Sequence, residues 1–78
     1  MEEALEVVVL FSQGRIIPRR IRYYDLPKAS YDEKDIAEIF YEVRDLRGSR
    51  YGIQFSDGQT GILHYNLKTG LWQLISHL

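Results

Sequence analysis

This chain of 78 residues contains no cysteine, so no disulfide can staple it and no thiolate can bind a metal. It also lacks a long hydrophobic run, because residues 7–11 form the longest one and a bilayer span needs roughly 20 residues. Its first residues, MEEALE, are acidic where a signal peptide is basic. These absences argue against a secreted domain and predict a cytoplasmic chain with no membrane partner.

Residues suited to catalysis are equally scarce. The histidines are His64 and His77, and no serine lies in a nucleophile motif such as G-x-S-x-G. Ser56, Asp57 and His64 could form a triad on neighbouring strands, but a serine and an aspartate in a turn usually bond their own backbone. Two strand histidines are more often solvated than joined by a metal. We therefore predict no enzyme activity, no catalytic, cofactor-binding or metal-binding residues, no cofactor and no evident small-molecule substrate.

The composition of the chain, by contrast, suits a hydrophobic core built from β-strands. Hydrophobic residues make up 45% of it and aromatic residues 13%, six of them tyrosines. Aromatic side chains pack well on the pleated face of a sheet. At this length one core is the limit, so we expect a single small β domain over residues 1–78.

Short β-rich runs separated by turn signals extend over most of the sequence. They cover residues 5–11, 15–24, 51–55, 61–65 and 71–78. Asp57-Gly58 is a strong hairpin signal, and NLKTG suits a type I turn followed by a glycine bulge. We expect Trp72 and Leu74 to share one face of the last strand, with Trp72 as a core anchor. The pattern predicts a mainly β fold of five or six antiparallel strands in a small barrel or half-open roll.

The segment before residue 51 is harder to interpret. Residues 25–34 (DLPKASYDEK) are polar and include a proline, which predicts a loop. Beyond them, apolar residues recur at helical spacing, while the stretch IFYEV has the β-branched and aromatic composition of a strand. The helical pattern consists of Ile36, Ile39, Phe40, Val43 and Leu46. An α+β fold with a helix at about 34–46 is therefore the alternative to the mainly β fold.

The second predicted strand combines arginine with aromatic residues. Period two places one set of side chains on one face, namely Ile17, Ile21 and Tyr23, and another on the opposite face, namely Arg20, Arg22 and Tyr24. Pro18 has no N–H, which predicts either an edge strand or a bulge. An edge strand that carries arginines is protected against unwanted pairing.

Charge is segregated along the chain although the net charge is −1. Residues 14–24 carry four arginines and no acid, whereas residues 32–45 carry six acids against Lys34 and Arg44. After Asp45 a single acid, Asp57, stands against Arg47, Arg50 and Lys68. Such blocks either pair within the fold or face different partners.

Three stretches in this order resemble a family of small uncharacterised bacterial domains. They are GRIIPRRIRYY, IAEIFYEVRDLRGSRYGIQFSDGQT and ILHYNLKTGLWQL. The final signature comprises Leu63, Tyr65, Asn66, Gly70, Trp72 and Leu74. The resemblance implies a mainly antiparallel β fold and favours a strand at 36–46. Through relatives joined to DNA-repair polymerases it also implies proximity to nucleic acid. The insert DLPKASYDEK and the tyrosines at 23 and 24, where tryptophan is common, depart from the family pattern.

Two partner classes follow from these features. The apolar strand at 7–11 has more apolar side chains than one face of a small core can bury, which predicts self-association as a homodimer or pairing with another protein. Alternatively, arginines and tyrosines could neutralise phosphates and stack bases of single-stranded nucleic acid. The residues predicted for either role are Arg15, Arg19, Arg20, Arg22, Tyr24, Arg47 and Arg50. The sequence thus predicts a non-catalytic interaction module that acts through this edge and basic–aromatic surface, with a nucleic-acid-binding module as the alternative.

Overall fold

The computed structural model describes residues 5–77, with side chains up to Ile75. The strands are β1 (Leu5–Ser12), β2 (Arg15–Asp25), β3 (Ser30–Asp45), β4 (Gly48–Phe55), β5 (Thr60–Asn66) and β6 (Leu71–His77). Each pairs antiparallel with the next in sequence, so the sheet order is β1-β2-β3-β4-β5-β6. The predicted mainly β half-open roll is confirmed. The α+β alternative is wrong, because residues 34–46 contain no helix.

The long strand β3 curls this meander into a half-barrel. Residues 30–35 of β3 pair with β2, and residues 36–45 pair with β4. We call β1, β2 and residues 30–35 the first half-sheet, and residues 36–45 with β4, β5 and β6 the second half-sheet. The curl brings β1 towards β6, although no strand ladder joins them in the part of the chain that the structure describes.

Two bulges account for part of the helical spacing in residues 36–46. The β3–β4 register skips Ala37 and Phe40, and each extra residue turns the following side chains to the other face. As a result the side chains that face β4's inner residues recur every three positions, at Ile36, Ile39 and Glu42. Three is close to the helical period of 3.6. The bulges thus account for the three-residue spacing of Ile36 and Ile39, whereas Phe40, Val43 and Leu46 are exposed and lie outside the inward face.

The prediction of a loop over residues 25–34 is wrong for most of its length. Only residues 26–29 form a turn, and β3 already begins at Ser30. The early part of β3 has little apolar character because polar and charged pairs across the ladder to β2 hold it. These pairs include Arg20 opposite Asp35 and Arg22 opposite Glu33. A pattern search for apolar alternation does not detect a strand of this kind.

The core lies on the concave side of the half-barrel. Its buried members are Ile21, Ile36, Tyr51, Ile53, Phe55 and Leu63. Half-buried hydrophobic residues surround them, namely Leu5, Val7, Tyr23, Ile39, Trp72 and Leu74. Trp72 packs at the rim, with its ring centroid 4.9 Å from that of Tyr65 and 6.0 Å from that of Tyr51. The predictions that Trp72 anchors the core and shares its face with Leu74 agree with this packing.

Pro18 lies next to a β-bulge and also in a part of β2 that forms an edge of the sheet. The β1–β2 register passes from Arg20 to Pro18 and skips Arg19, and Pro18 is buried. The shift turns Ile17 outward, opposite Leu10, so the predicted alignment of Ile17 with Ile21 on one face is wrong. Residues 15–19 pair with β1 alone among the strands described, because β3 pairs only with residues 20–25. We call residues 15–19 the edge segment.

Candidate functional surface on the outside of the half-barrel

The predicted site residues lie in three places. Arg20, Arg22 and Tyr24 share the outer face of β2, as predicted, opposite residues of β3. Arg15 and Arg19 belong to the edge segment. The remaining two are further along the chain, with Arg47 in the β3–β4 turn and Arg50 in β4. The structure therefore does not join all of them into one basic stripe.

Carboxylates of β3 pair with the arginines of the outer face of β2. Arg20 Nε lies 2.6 Å from Asp35 Oδ1, and its Nη1 lies 3.4 Å from Glu33 Oε2. The hydrogen bond to Asp35, together with the charges of both acids, raises the pKa of Arg20. Arg22 Nη1 is 3.9 Å from Glu6 Oε2 of β1. A phosphate that approached this face would have to displace carboxylates already in place.

An aromatic cluster adjoins these ion pairs. The guanidinium carbon of Arg22 lies 4.5 Å from the centroid of the Tyr31 ring, within the range of a cation–π contact. The rings of Tyr24 and Tyr31 meet edge to face with centroids 5.3 Å apart. Sequence reasoning missed Tyr31 because it placed residues 25–34 in a loop. The aromatic half of β2's outer face is thus engaged within the fold.

Arg15 has a structural contact at the gap between the edge segment and β3. Its Nη2 lies 2.8 Å from Glu42 Oε1, while Arg44 Nε lies 2.7 Å from Glu42 Oε2. The Glu42 side chain is only 13% exposed, and the hydrogen bonds from Arg15 and then Arg44 lower its pKa. Nearby, the Tyr51 hydroxyl donates to the carbonyl of Ile16 at 3.1 Å. These contacts fasten the edge segment to β3 and β4.

The outer face of β1 and the edge segment carries apolar side chains that no described element covers. Val8 is 57% exposed and Leu10 is 50% exposed, and alternation along β1 places both on this face. Ile17, which stands opposite Leu10, is half-buried. We call these three residues the apolar strip. The strip is uncharged at Leu10 and Ile17, and it borders a cation where Arg20 stands opposite Val8.

An open groove of about 340 Å³ lies where β2 and β3 meet the β4–β5 turn. It is lined by Arg20, Asp32, Glu33, Lys34, Asp35, Ser56 and Asp57. Lys34 Nζ pairs with Asp57 Oδ2 at 3.2 Å, and the amide of Ser56 donates to the carbonyl of Asp35 at 2.9 Å. The groove is thus lined mainly by charged groups that contact one another.

The groove does not assemble a triad. Asp57 Oδ1 accepts the amide of Gln59 at 3.0 Å, as expected for a turn residue. His64 lies well along β5, opposite Gln73, and His77 lies opposite Gly61, so the two histidines are not cross-strand neighbours. Among the side chains that the structure describes, those of residues 5–75, no group of histidines and carboxylates is arranged to hold a metal ion.

Comparisons add no family to these observations. No protein-family model, no curated protein and no solved structure matches the chain. The resemblance to small bacterial β domains therefore stays a prediction. Within the described residues, no helix has the length and hydrophobicity required to cross a membrane.

Proposed function

We propose that this chain is a non-catalytic interaction module that pairs with a second copy of itself through β1 and the apolar strip. The observation that carries the proposal is the exposure of Val8 and Leu10 side by side on the outer face of a strand. β1 has a ladder partner on one side only in the described structure, which leaves its other edge for strand addition. We also propose a cytoplasmic setting, which the absence of cysteine favours.

Apolar burial provides the driving force. Covering a valine or leucine side chain contributes about 1.5–3 kcal/mol when it moves from full exposure to full burial. Half-exposed side chains contribute less each, but a two-fold dimer buries every member of the strip twice. A two-fold axis beside β1 would also set the strand antiparallel to its copy, the arrangement found throughout the sheet.

Light scattering across a range of protein concentrations tests this proposal. We expect a dimer for the native chain and a monomer for Leu10→Glu, because Leu10 stands opposite Ile17 and a carboxylate buried in an apolar contact without a partner is costly. Val43→Glu is the matched control, since Val43 is 52% exposed on the outer side of β3, outside the strip. A native chain that stays monomeric at every concentration, or two variants that behave alike, contradicts the proposal.

Nucleic-acid binding through β2 is the competing function, and the carboxylates beside Arg20 disfavour it. The two functions differ in salt response. Affinity for phosphates falls steeply as salt rises, whereas apolar association does not. Titration of labelled single- and double-stranded oligonucleotides at two salt concentrations distinguishes them. Tight binding that Arg20→Ala with Arg22→Ala abolishes would replace the dimer as the main function.

A further inference from the structure

Two turns at one end of the second half-sheet have the same construction. The β3–β4 turn reads Asp45-Leu46-Arg47, and the β5–β6 turn reads Asn66-Leu67-Lys68. Each presents a leucine followed directly by a cation.

Side-chain oxygens fix both turns in the same way. Asp45 Oδ1 accepts the amides of Arg47 at 2.8 Å and Gly48 at 3.2 Å. Asn66 Oδ1 accepts the amides of Lys68 at 2.9 Å and Thr69 at 3.2 Å. An Asx residue that bonds the backbone two and three positions on holds a tight turn. The leucines are therefore carried by ordered backbone.

The turns also hold each other. The amide of Leu67 donates to the carbonyl of Arg47 at 2.8 Å. Gly48 has a φ of 146°, and a Cβ there would strike the carbonyl of Tyr65, so only glycine allows the two hairpins to approach this closely. The two leucine–cation pairs thus form one fixed surface, which we call the leucine end (Leu46, Arg47, Leu67, Lys68).

Neither leucine side chain belongs to the hydrophobic core. Leu46 is 98% exposed and Leu67 is 63% exposed. Arg47 and Lys68 make no ion pair with any residue that the structure describes, in contrast to Arg20 and Arg15. Asp45, the acid that begins the first turn, pairs with Arg50 at 3.7 Å and interacts with Arg47 only through its charge at longer range. An apolar tip beside unpaired cations combines the two features that bind a protein to an anionic lipid surface. The apolar group enters the boundary between headgroups and acyl chains, while the cations meet the lipid phosphates.

The charge distribution orients the molecule towards such a surface. β4 runs from the leucine end to the opposite end of the half-sheet, where the groove is net negative because Arg20 and Lys34 stand against Asp32, Glu33, Asp35 and Asp57. A negative surface attracts the first end and repels the second. We propose that the leucine end docks on anionic membranes, with Leu46 and Leu67 inserted at the interface. This departs from the sequence expectation of no membrane partner.

Co-sedimentation with phosphatidylcholine vesicles, with and without phosphatidylserine, tests the proposal on the full chain. We expect binding to the anionic vesicles only. Leu46→Asp should weaken it about tenfold or more, because it removes a leucine from the apolar phase. Leu26→Asp is the matched control, since Leu26 is 56% exposed in the β2–β3 turn, and it should bind like the native chain.

The cations require a second variant. Arg47→Ala with Lys68→Ala should weaken binding by roughly tenfold or more at low salt, and the loss should shrink at about 0.5 M salt as charges are screened. The proposal is overturned if the native chain does not bind phosphatidylserine vesicles, or if Leu46→Asp and Leu26→Asp bind equally. Loss of binding in the cation variant alone would mean that the leucines do not insert. The leucine end and the apolar strip share no residue, so the result of this test does not depend on whether the chain forms a dimer.

Discussion

The two half-sheets are held together by different interactions. In the second half-sheet, Tyr51, Ile53, Phe55 and Leu63 point inward and supply most of the buried core. In the first half-sheet, Ile21 is the buried hydrophobic member of that core, while Arg20 and Arg22 on the outer face pair with acids of the neighbouring strands. β3 contributes residues 30–35 to the first half-sheet and residues 36–45 to the second, so both kinds of interaction occur along this one strand. A single strand can thus be held by ion pairs in one part and by buried hydrophobic side chains in another.

The largest test of this contrast removes a core side chain from the second half-sheet. Phe55→Ala should lower the free energy of unfolding by about 3–5 kcal/mol, since it leaves a cavity that the surrounding strands cannot close. That is a large share of the roughly 5–15 kcal/mol of a folded domain. Chemical denaturation measures it. Phe40→Ala removes the same side chain from an exposed bulge and should cost about 0.5 kcal/mol or less. Equal losses would show that the core assignment is incorrect.

A smaller effect is expected where the two half-sheets are fastened. Glu42→Gln weakens the hydrogen bonds to Arg15 and Arg44 and should cost about 1–2 kcal/mol at neutral pH. The pKa of Glu42 is lower in the folded chain than in the unfolded one. Its contribution is therefore complete above the usual pKa of a glutamate and is lost as the pH falls through the depressed folded pKa.

The difference in stability between the native chain and Glu42→Gln should accordingly vanish in acid. Denaturation curves over a pH series measure this difference directly. Glu38→Gln is the matched control for the loss of a carboxylate from the same strand, because Glu38 is exposed there. A difference that persists below the folded pKa would mean that shape, and not charge, accounts for the effect.

The smallest effect belongs to the outer face of the first half-sheet. Arg20→Ala breaks exposed ion pairs with Asp35 and Glu33, which water and salt screen. We expect a slight fall in melting temperature at low salt that disappears at about 0.5 M salt. Arg19→Ala, at the bulge, serves as the control and should show no salt-dependent change. A loss as large as that of Phe55→Ala would remove the contrast between the half-sheets.

Prediction from sequence was most successful where burial dictates the pattern. The turn at Asp57-Gly58, the strands on either side of it and the inward face of Trp72 and Leu74 were all predicted. It failed at residues 30–35, where charged pairs replace apolar alternation, and at Ile17, where a bulge reverses the face. A bulge depends on how two strands meet, and one strand's sequence does not show this. The same bulges gave Ile36 and Ile39 the three-residue spacing that contributed to the helix alternative at 34–46.

For the candidate surfaces, the sequence identified individual residues but not which of them lie together in the structure. The seven predicted site residues lie in three separate places, and the acids of β3 pair with several of them. The repeated Asx–leucine–cation turns were visible as two separate stretches of sequence. Their contact through Leu67 and Arg47 was not, because it joins two hairpins.

The sequence by itself determined the class of fold, since hydrophobic alternation and turn residues act over short distances that a local pattern records. It also determined that an apolar strand would be left partly uncovered, because residues 7–11 are apolar on both faces. Only the tertiary structure decided which charges are paired and which are exposed. Arg20 and Arg47 are the same residue type, but one meets Asp35 across a ladder and the other stands beside Leu46 at the end of a turn. Long-range register determines that difference, and it is set by the packing of the whole sheet.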